Sequence, residues 1–310
     1  MELKTLRYAI EDTPAGLVAT ITFDEQGSPV NTMCQPWQDD LATVTEQVVK
    51  DRDRLRGLIL ASAKSTFFAG ADLKGVMRLK ADDAPRVYAE IERVKRCFRT
   101  LETLGIPVVS CINGSALGGG MEVALVGHHR IAVHDPKLQM GLPELTLGLI
   151  PGATGITKMT RLLGLMGAQP FIMESQLFNP RQGHELGLVH ELVASDGELR
   201  ARALAWIAAN PQAQQPWDVK GYKIPGGTPA NPKIAGGLVV APAMLTAKTH
   251  GNYPAPEAAL SAMVEGAQVD YDTATRIESR YLASLMAGPV ARNMINTFFF
   301  NLNAIKSGQS

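Results

Sequence analysis

Near the start of the chain, apolar runs typical of strands flank a stretch with the apolar spacing of a helix. Residues 17–23 (LVATITF) and 55–62 (LRGLILAS) are short runs rich in apolar and β-branched side chains, and each predicts a strand. Between them, Leu41, Val44 and Val48 recur at the spacing of one helix face. We therefore expect the chain to pass from strand to helix to strand.

The same alternation continues over the next eighty residues. An amphipathic stretch at 84–105 leads into a third predicted strand at 106–114, and a fourth predicted strand at 129–135 follows another helix. Strands that alternate with helices are typical of α/β proteins, where crossover connections join parallel strands. The pattern therefore predicts an α/β fold.

The amino-acid composition of the chain changes near residue 200, and this change predicts three regions. Residues 1–200 form the α/β core, and residues 201–255, dense in proline and glycine, predict an irregular segment that wraps a surface. Residues 256–310 predict C-terminal helices. The domain organisation is therefore expected to be a core, an irregular segment and a helical region.

Two helices are predicted in the C-terminal region. The first covers 256–288, where Pro256 suits the first turn and Gly266 weakens the middle. The second covers 290–308 and contains the aromatic run 298–300, which we expect to be buried.

Composition and charge narrow the classes of function. Lysine plus arginine and aspartate plus glutamate number 30 each, and 45% of residues are apolar. This balance is typical of a globular protein and, without a basic stripe, makes nucleic acid an unexpected partner. The three cysteines lack the close pairing of zinc or redox sites, and no apolar run reaches the length of about 18 residues that a membrane span needs. We expect a cytoplasmic protein without a membrane span.

Three consecutive glycines precede an acid in the run ALGGGMEVAL at 116–125. They are consistent with a tight strand-to-helix turn, or with bare backbone N–H groups at a helix start that bind an oxyanion. A dinucleotide fingerprint is disfavoured because both its spacing and its position after a first strand are missing. The oxyanion interpretation requires a second N–H donor.

A second donor loop and a second acid occur nearby. The stretch FFAGADLKGV at 67–76 has small residues at a strand exit, and Glu144 follows Pro143 in a largely apolar stretch. Each acid, Glu122 or Glu144, can be an ion-paired or capping residue. Together with two donor loops, they are also consistent with a carboxylate pair that flanks an oxyanion hole.

Other reactive side chains are assigned structural roles. His128 and His129 are adjacent, so in a strand they point to opposite faces, and no acid or cysteine completes a metal set with them. Ser115 lies near the glycines but outside a nucleophile elbow. We expect neither a metal site nor acyl-enzyme chemistry.

Four motifs in order resemble the crotonase superfamily, which is also called the enoyl-CoA hydratase/isomerase superfamily. They are DEQGSPVNTM at 24–33, AGADLK at 69–74, GSALGGGME at 114–122 and LPELTLGLIPG at 142–152. The resemblance implies a crotonase-type ββα spiral core with a C-terminal helical region. Residues 276–310 resemble the linker that follows the hydratase part of bacterial multifunctional fatty-acid oxidation α-subunits, where a dehydrogenase half begins.

The resemblance also implies a set of catalytic residues. The N–H groups of Ala71 and Gly119 would bind the thioester oxygen. Glu144 would protonate the α-carbon, while Glu122 would activate the water that adds to the β-carbon. The resemblance further implies that the substrate would lie along seven other residues of this chain: Pro29, Val30, Ala69, Asp72, Leu73, Lys74 and Gly118.

The activity implied is hydration of trans-2-enoyl-CoA in fatty-acid β-oxidation, with Δ3-Δ2-enoyl-CoA isomerisation or non-catalytic acyl-CoA binding as alternatives. Coenzyme A is part of the substrate, and no metal or redox cofactor is implied. The implied partners are a dehydrogenase half and a thiolase subunit, and the chain would be a monomer or a homotrimer. Residues 154–159 (TGITKM) depart from the family pattern GGTQRL, which puts the shape of the acyl pocket in question.

Overall fold

The computed structural model describes residues 2–308, and they divide into two compact units. The sheet unit comprises Met1–Ala71, Arg93–Gly141 and Leu177–Tyr222, of which Met1 is not described. The helical unit comprises Asp72–Glu92, Leu142–Gln176 and Lys223–Ser310, described as far as Gly308. Each unit is discontinuous in sequence, so neither coincides with the predicted division at residue 200.

A six-stranded sheet forms the core of the sheet unit, in the order β1-β2-β3-β4-β6-β8. β1 and β2 form an antiparallel hairpin with Leu6 opposite Phe23, and every other neighbouring pair is parallel. A second sheet contains only β5 and β7, which pair in parallel. The strands are β1 (Leu6–Thr13), β2 (Gly16–Phe23), β3 (Gly57–Ser62), β4 (Val108–Ile112), β5 (Ala116–Leu117), β6 (His129–Val133), β7 (Met140–Gly141) and β8 (Glu191–Val193).

Helices cover the sheet because the inner strands carry apolar side chains. All five residues of β4 are buried, as expected for a central parallel strand with both faces covered. One helix, α1 (Gln35–Asp51), buries the predicted stripe of Leu41, Val44 and Val48. Another, α7 (Asp196–Ala209), packs Leu199, Ala203 and Ile207 into the core cluster of the sheet. The predicted α/β fold is confirmed.

The remaining helices complete both units. They are α2 (Leu73–Val76), α3 (Ala84–Glu102), α4 (Gly119–Ala124), α5 (Gly155–Met173), α6 (Pro180–Glu185), α8 (Pro232–Thr249), α9 (Pro254–Gly266), α10 (Tyr271–Ala287), α11 (Pro289–Ile295) and α12 (Leu302–Lys306), with a π-helical turn at Asn296–Asn301. Within residues 2–308, none of these helices combines the length and apolar character needed to cross a bilayer.

The structure corrects the predicted boundaries after residue 200. The irregular segment predicted over 201–255 is wrong at both ends, because α7 continues to Ala209 and α8 occupies Pro232–Thr249. Asn231 caps α8 by accepting a hydrogen bond from the Lys233 backbone N–H, and Pro232 suits the first turn. These local signals outweigh the internal glycines and the proline of that stretch.

The C-terminal helices also differ from their prediction. The helix predicted over 256–288 is two helices, because α9 ends at Gly266 and Asp270 caps a new helix by accepting from the Thr273 N–H. The burial predicted for the aromatic run is wrong, since Phe298 and Phe299 are exposed on the π-helical turn.

Candidate functional site

The glycine triplet forms the start of α4 in the sheet unit. Gly118 is the N-cap, Gly119 is the first residue of the helix, and all six residues of α4 are buried. A Cβ placed on Gly120 would lie 2.1 Å from the Phe68 carbonyl oxygen, so only glycine allows this approach between helix and loop. The triplet therefore holds the N-terminus of α4 against the loop at 67–71.

The loop at 67–71 is fixed from two sides. On one side, the Leu117 N–H donates to the Phe68 oxygen at 3.2 Å. On the other, the Ala69 N–H donates to Asn31 and the Gly70 oxygen accepts from the Met33 N–H, both at 2.9 Å. Gly70 adopts φ +101°, which favours glycine. The next residue, Ala71, is exposed.

The two predicted donor groups belong to neighbouring backbone segments. A Cβ placed on Gly119 would lie 3.5 Å from the Gly70 Cα, and one placed on Gly70 would lie 3.6 Å from the Gly119 nitrogen. Neither the Ala71 N–H nor the Gly119 N–H donates to any acceptor among residues 2–308. Gly119 stands at a helix N-terminus, where orphan N–H groups and the helix dipole favour an anion. The sheet unit thus contains two close, unused amide donors.

Glu122 lies one turn beyond Gly119 on the same helix face. Its backbone N–H donates to Gly118 at 3.1 Å, and the residue is only 3% exposed. Because Cα–Cβ bonds tilt toward a helix N-terminus, its side chain leans toward the donor end of α4. The approach of the Glu122 carboxyl group to the amide donors stays a prediction.

Glu144 lies in the helical unit, as the first residue of a 3₁₀ turn at Glu144–Leu147. Its backbone oxygen accepts a hydrogen bond from the Leu149 N–H at 3.1 Å, and the left-handed Gly148 ends the turn. The residue is partly exposed. The pairing of Glu144 with Glu122 across one substrate stays a prediction.

Of the predicted substrate-binding residues, four lie in the sheet unit. The structure places Pro29 and Val30 in the loop that Asn31 and Met33 tie to the loop at 67–71. Pro29 and Ala69 are exposed, whereas Gly118 is buried. The loop at 24–33 and the donor loop therefore lie side by side.

The other three lie at the start of the helical unit. Asp72 caps the short helix α2 by accepting from the Lys74 N–H at 3.0 Å. Leu73 is partly exposed and Lys74 is exposed. Their contact with a substrate stays a prediction.

Two supporting residues escaped the sequence argument. Asn31 is buried, and its side chain donates to Ser62 Oγ and to the Phe67 oxygen while accepting from the Glu25 N–H. Met33 places its thioether against Gly119. Both belong to the motif at 24–33, but the contacts that tie them to the site, with Ser62, Phe67 and Gly119, join residues more than thirty positions apart, so no local signal identifies them.

The histidines of the sheet unit make structural contacts. His128 Nδ1 accepts from the Val108 N–H at 3.1 Å, which leaves Nε2 to donate to the Glu102 oxygen at 2.9 Å. His129 stacks between His190 and Trp206, and burial lowers the pKa of His129. In the described part of the chain, no group of three or more ligating side chains is placed to hold a metal ion.

The chain is similar in sequence to one protein family and to several known proteins. A family model described as "Enoyl-CoA hydratase/isomerase" matches residues 13–215. The chain is 31% identical over 284 residues to the fatty acid oxidation complex subunit alpha of Shewanella halifaxensis, and 30% identical over 285 residues to that of Shewanella amazonensis. Each match covers 91% of this chain and 39% of the relative, so the chain spans about two fifths of their length.

Solved structures are similar as well. Pseudomonas aeruginosa DspI is 31% identical with a TM-score of 0.56, covering 68% of this chain and 76% of that one. Human mitochondrial Δ3-Δ2-enoyl-CoA isomerase has a TM-score of 0.67 and covers 97% of this chain and 99% of its own. Its identity of 22% supports likeness of fold alone. The predicted crotonase-type core with a C-terminal helical region is confirmed.

Proposed function

The chain belongs to the enoyl-CoA hydratase/isomerase family, and from this premise we propose that it hydrates trans-2-enoyl-CoA thioesters to 3-hydroxyacyl-CoA. The observation that supports the proposal best is the pair of unused amide donors at Ala71 and Gly119. Acyl-CoA is the substrate class of the family.

The amide donors match the charge that develops during the reaction. Conjugation with the thioester makes the β-carbon electrophilic, and attack by water moves negative charge onto the thioester oxygen. Fixed N–H dipoles from Ala71 and Gly119 stabilise that oxyanion without having to reorganise. One such donor typically contributes about 10²–10³ in rate.

The two carboxyl groups provide the proton transfers. Glu122 orients and deprotonates the attacking water, whose hydroxyl adds to the β-carbon. Glu144 delivers a proton to the α-carbon. The proton that Glu122 has taken from water then passes through solvent to Glu144, so both carboxyl groups return to their starting states. The sum is addition of one water molecule across the double bond, with no electrons gained or lost. These roles require Glu122 to be a carboxylate and Glu144 to be protonated when each one acts.

The remaining predicted residues bind the coenzyme A portion of the substrate in this proposal. Pro29, Val30 and Ala69 contact it from the side of the donor loop, and Asp72 and Leu73 from the start of α2. Lys74 is exposed and able to reach a phosphate. Coenzyme A enters as part of the substrate, and the steps above draw only on side chains and amides of the chain.

A steady-state assay tests the proposed reaction. Hydration of crotonyl-CoA and longer enoyl-CoAs removes the ultraviolet absorbance of the conjugated thioester. Glu144→Gln should lower kcat by about 10²–10⁴ while leaving coenzyme A binding nearly unchanged, because general acid catalysis contributes in that range. Glu185→Gln, at an exposed carboxyl group paired with Arg181, is the matched control and should keep full activity. Full turnover by Glu144→Gln contradicts the assigned role.

Supplying a different substrate distinguishes isomerase activity from hydratase activity. A 3-enoyl-CoA becomes conjugated on isomerisation, so absorbance appears instead of disappearing. Isomerisation needs one carboxyl group to shuttle a proton, so Glu122→Gln should abolish hydration and spare isomerisation. Binding of coenzyme A without either reaction would identify a non-catalytic acyl-CoA module.

The partners follow from the relatives, which are alpha subunits of a fatty acid oxidation complex. We propose a dehydrogenase half and a thiolase subunit as the partners of this hydratase part. Light scattering separates a monomer of 33.3 kDa from a homotrimer of about three times that mass.

A further inference from the structure

A fully buried carboxylate lies in the middle of α10, within the helical unit. Glu278 is 0% exposed, and its carboxylate accepts hydrogen bonds from residues at the start of α5. Its Oε1 accepts from the Thr154 N–H at 2.7 Å, and its Oε2 accepts from the Thr157 N–H at 2.8 Å and from Thr157 Oγ1 at 2.9 Å. Both carboxylate oxygens are therefore directed at the N-terminus of α5.

The start of α5 needs this acceptor. The N-cap Thr154 has φ +94°, a left-handed conformation that is strained for a β-branched residue, and its own side chain makes no capping bond. The first N–H groups of a helix lack partners within it, and the helix dipole there favours a negative charge. Glu278 satisfies both requirements from 124 residues away in sequence.

The same C-terminal helices contact the segment that leads from Glu144 to α5. A Cβ on Gly152 would lie 2.1 Å from Leu282 Cδ2, and one on Gly148 would lie 2.8 Å from Met294 Sδ, so α10 and α11 press directly on this backbone. The turn at Glu144–Leu147 also contacts α11. Residues 148–160 are buried throughout. The path from Thr154 back to Glu144 is therefore short and closely packed.

A second contact holds α5 to the same helices one turn further on. Arg161 donates to the backbone oxygens of Gly266 at 3.3 Å and Val269 at 3.0 Å. Its guanidinium lies 5.5 Å from the centroid of the Tyr271 ring. These contacts hold the body of α5, whereas Glu278 holds its first turn, which is the part continuous with Glu144.

We propose that Glu278 is a positioning residue for Glu144: its carboxylate clamps the N-terminus of α5 and thereby fixes the segment 144–154 that presents the Glu144 side chain. This inference rests on the proposed function for the role of Glu144. The C-terminal helices are then part of the catalytic apparatus, because a carboxyl group within them sets the geometry of proton delivery.

Glu278→Gln tests the clamp. The variant keeps the size of the side chain but replaces one accepting oxygen with an NH₂ group that faces backbone N–H donors. We expect kcat for enoyl-CoA hydration to fall at least tenfold, while KM changes less than threefold. The matched control is Tyr281→Phe, which removes the 2.6 Å hydrogen bond from Tyr281 to Glu265 between α10 and α9 and leaves the bonds to α5 intact.

Hydrogen exchange provides a readout that does not depend on turnover. Amides within 144–157 should exchange faster in Glu278→Gln than in the unaltered protein, and should be unchanged in Tyr281→Phe. If the unaltered protein shows no hydration, the proposed function fails, while the exchange experiment still decides whether Glu278 holds the segment.

Two results with Glu278→Gln overturn the inference. One is unchanged exchange over 144–157 in Glu278→Gln, and the other is a loss of kcat that Tyr281→Phe reproduces to the same extent. Should Glu278→Gln fail to fold, Thr157→Val removes only the hydroxyl bond to Oε2 and should shift kcat and exchange in the same direction by a smaller amount. Absence of both shifts in Thr157→Val also overturns it.

Discussion

Replacing Gly120 with alanine should separate the two amide donors without touching either one. The added Cβ would lie 2.1 Å from the Phe68 oxygen and 2.7 Å from the Phe68 carbonyl carbon. Both are rigid backbone atoms, so side-chain rotation cannot relieve the clash. Ordinary contact begins near 3.4 Å, so α4 and the donor loop must move apart by about 1 Å.

The expected loss of activity follows from the size of that displacement. The Phe68 oxygen accepts from the Leu117 N–H, and the loop that carries it ends at Ala71, so the shift moves the Ala71 donor relative to the Gly119 donor. A misplacement of about 1 Å at a reacting centre costs up to about 10² in rate, which is about 2.7 kcal/mol of transition-state stabilisation. Overpacking should also cost about 1–3 kcal/mol of folding stability.

The assay is kcat for enoyl-CoA hydration, measured below the melting temperature of every variant and together with thermal unfolding. Gly119→Ala is an informative intermediate, because its Cβ meets chiefly the flexible end of Met33 at 2.7 Å. It should lose less activity than Gly120→Ala. Gly236→Ala is the matched control, because nothing lies within 4 Å of its Cβ inside α8, and alanine should raise helix stability there.

Full activity of Gly120→Ala would refute the reasoning, because the variant cannot keep both the observed approach and an added methyl group. A kcat equal to that of Gly236→Ala, with an unchanged melting temperature, would show that the donor geometry plays no part in turnover.

Two further predictions concern stability. Thr154→Gly should raise the free energy of unfolding, measured by chemical denaturation, by about 1 kcal/mol. Thr154 is a β-branched residue in the left-handed region, and its buried Oγ1 lacks a hydrogen bond within residues 2–308, so glycine removes both costs. A lower stability would contradict this. Burial lowers the folded-state pKa of His129 below its ordinary value of 6.5, so stability is present above that value and is lost as pH falls below it. His129→Phe should therefore reduce the decline in stability between pH 7 and 5, and part of the decline remains because burial also lowers the pKa of His190, to about 3.

Local signals in the sequence singled out the loop at 67–76 and the glycine triplet, which the structure places side by side, while their role as oxyanion donors stays a prediction. Glycine tolerates positive φ and close backbone approach, so the small residues at 69–71 and 118–120 could be marked as candidates, whereas the donor role of Gly119 came only from the family resemblance. The predicted strands 17–23 and 129–135 correspond to β2 and β6, because both stretches are rich in β-branched and apolar residues.

Elements with weak local signals were missed. β1 is an edge strand in which only Leu6 is buried, so it lacks an apolar run, and β8 has only three residues. The helix α8 was not predicted because it contains Gly236, Gly237 and Pro242, which disfavour a helix. Its start is nevertheless marked by Asn231 and Pro232. The clamp by Glu278 could not be predicted, because its partner Thr154 lies 124 residues earlier and only the packing of α10 brings the two together.

The discontinuity of the two units has a consequence for synthesis of the chain in a cell. α5 leaves the ribosome long before α10, which must supply its cap at Glu278. At about 5–20 residues per second, that interval is roughly 6 to 24 s, whereas helices form within microseconds. During this time α5 lacks its native contacts with α9 and α10. We therefore expect the nascent chain to expose apolar surface of α5, and to be prone to non-native association, until the C-terminal helices have been made.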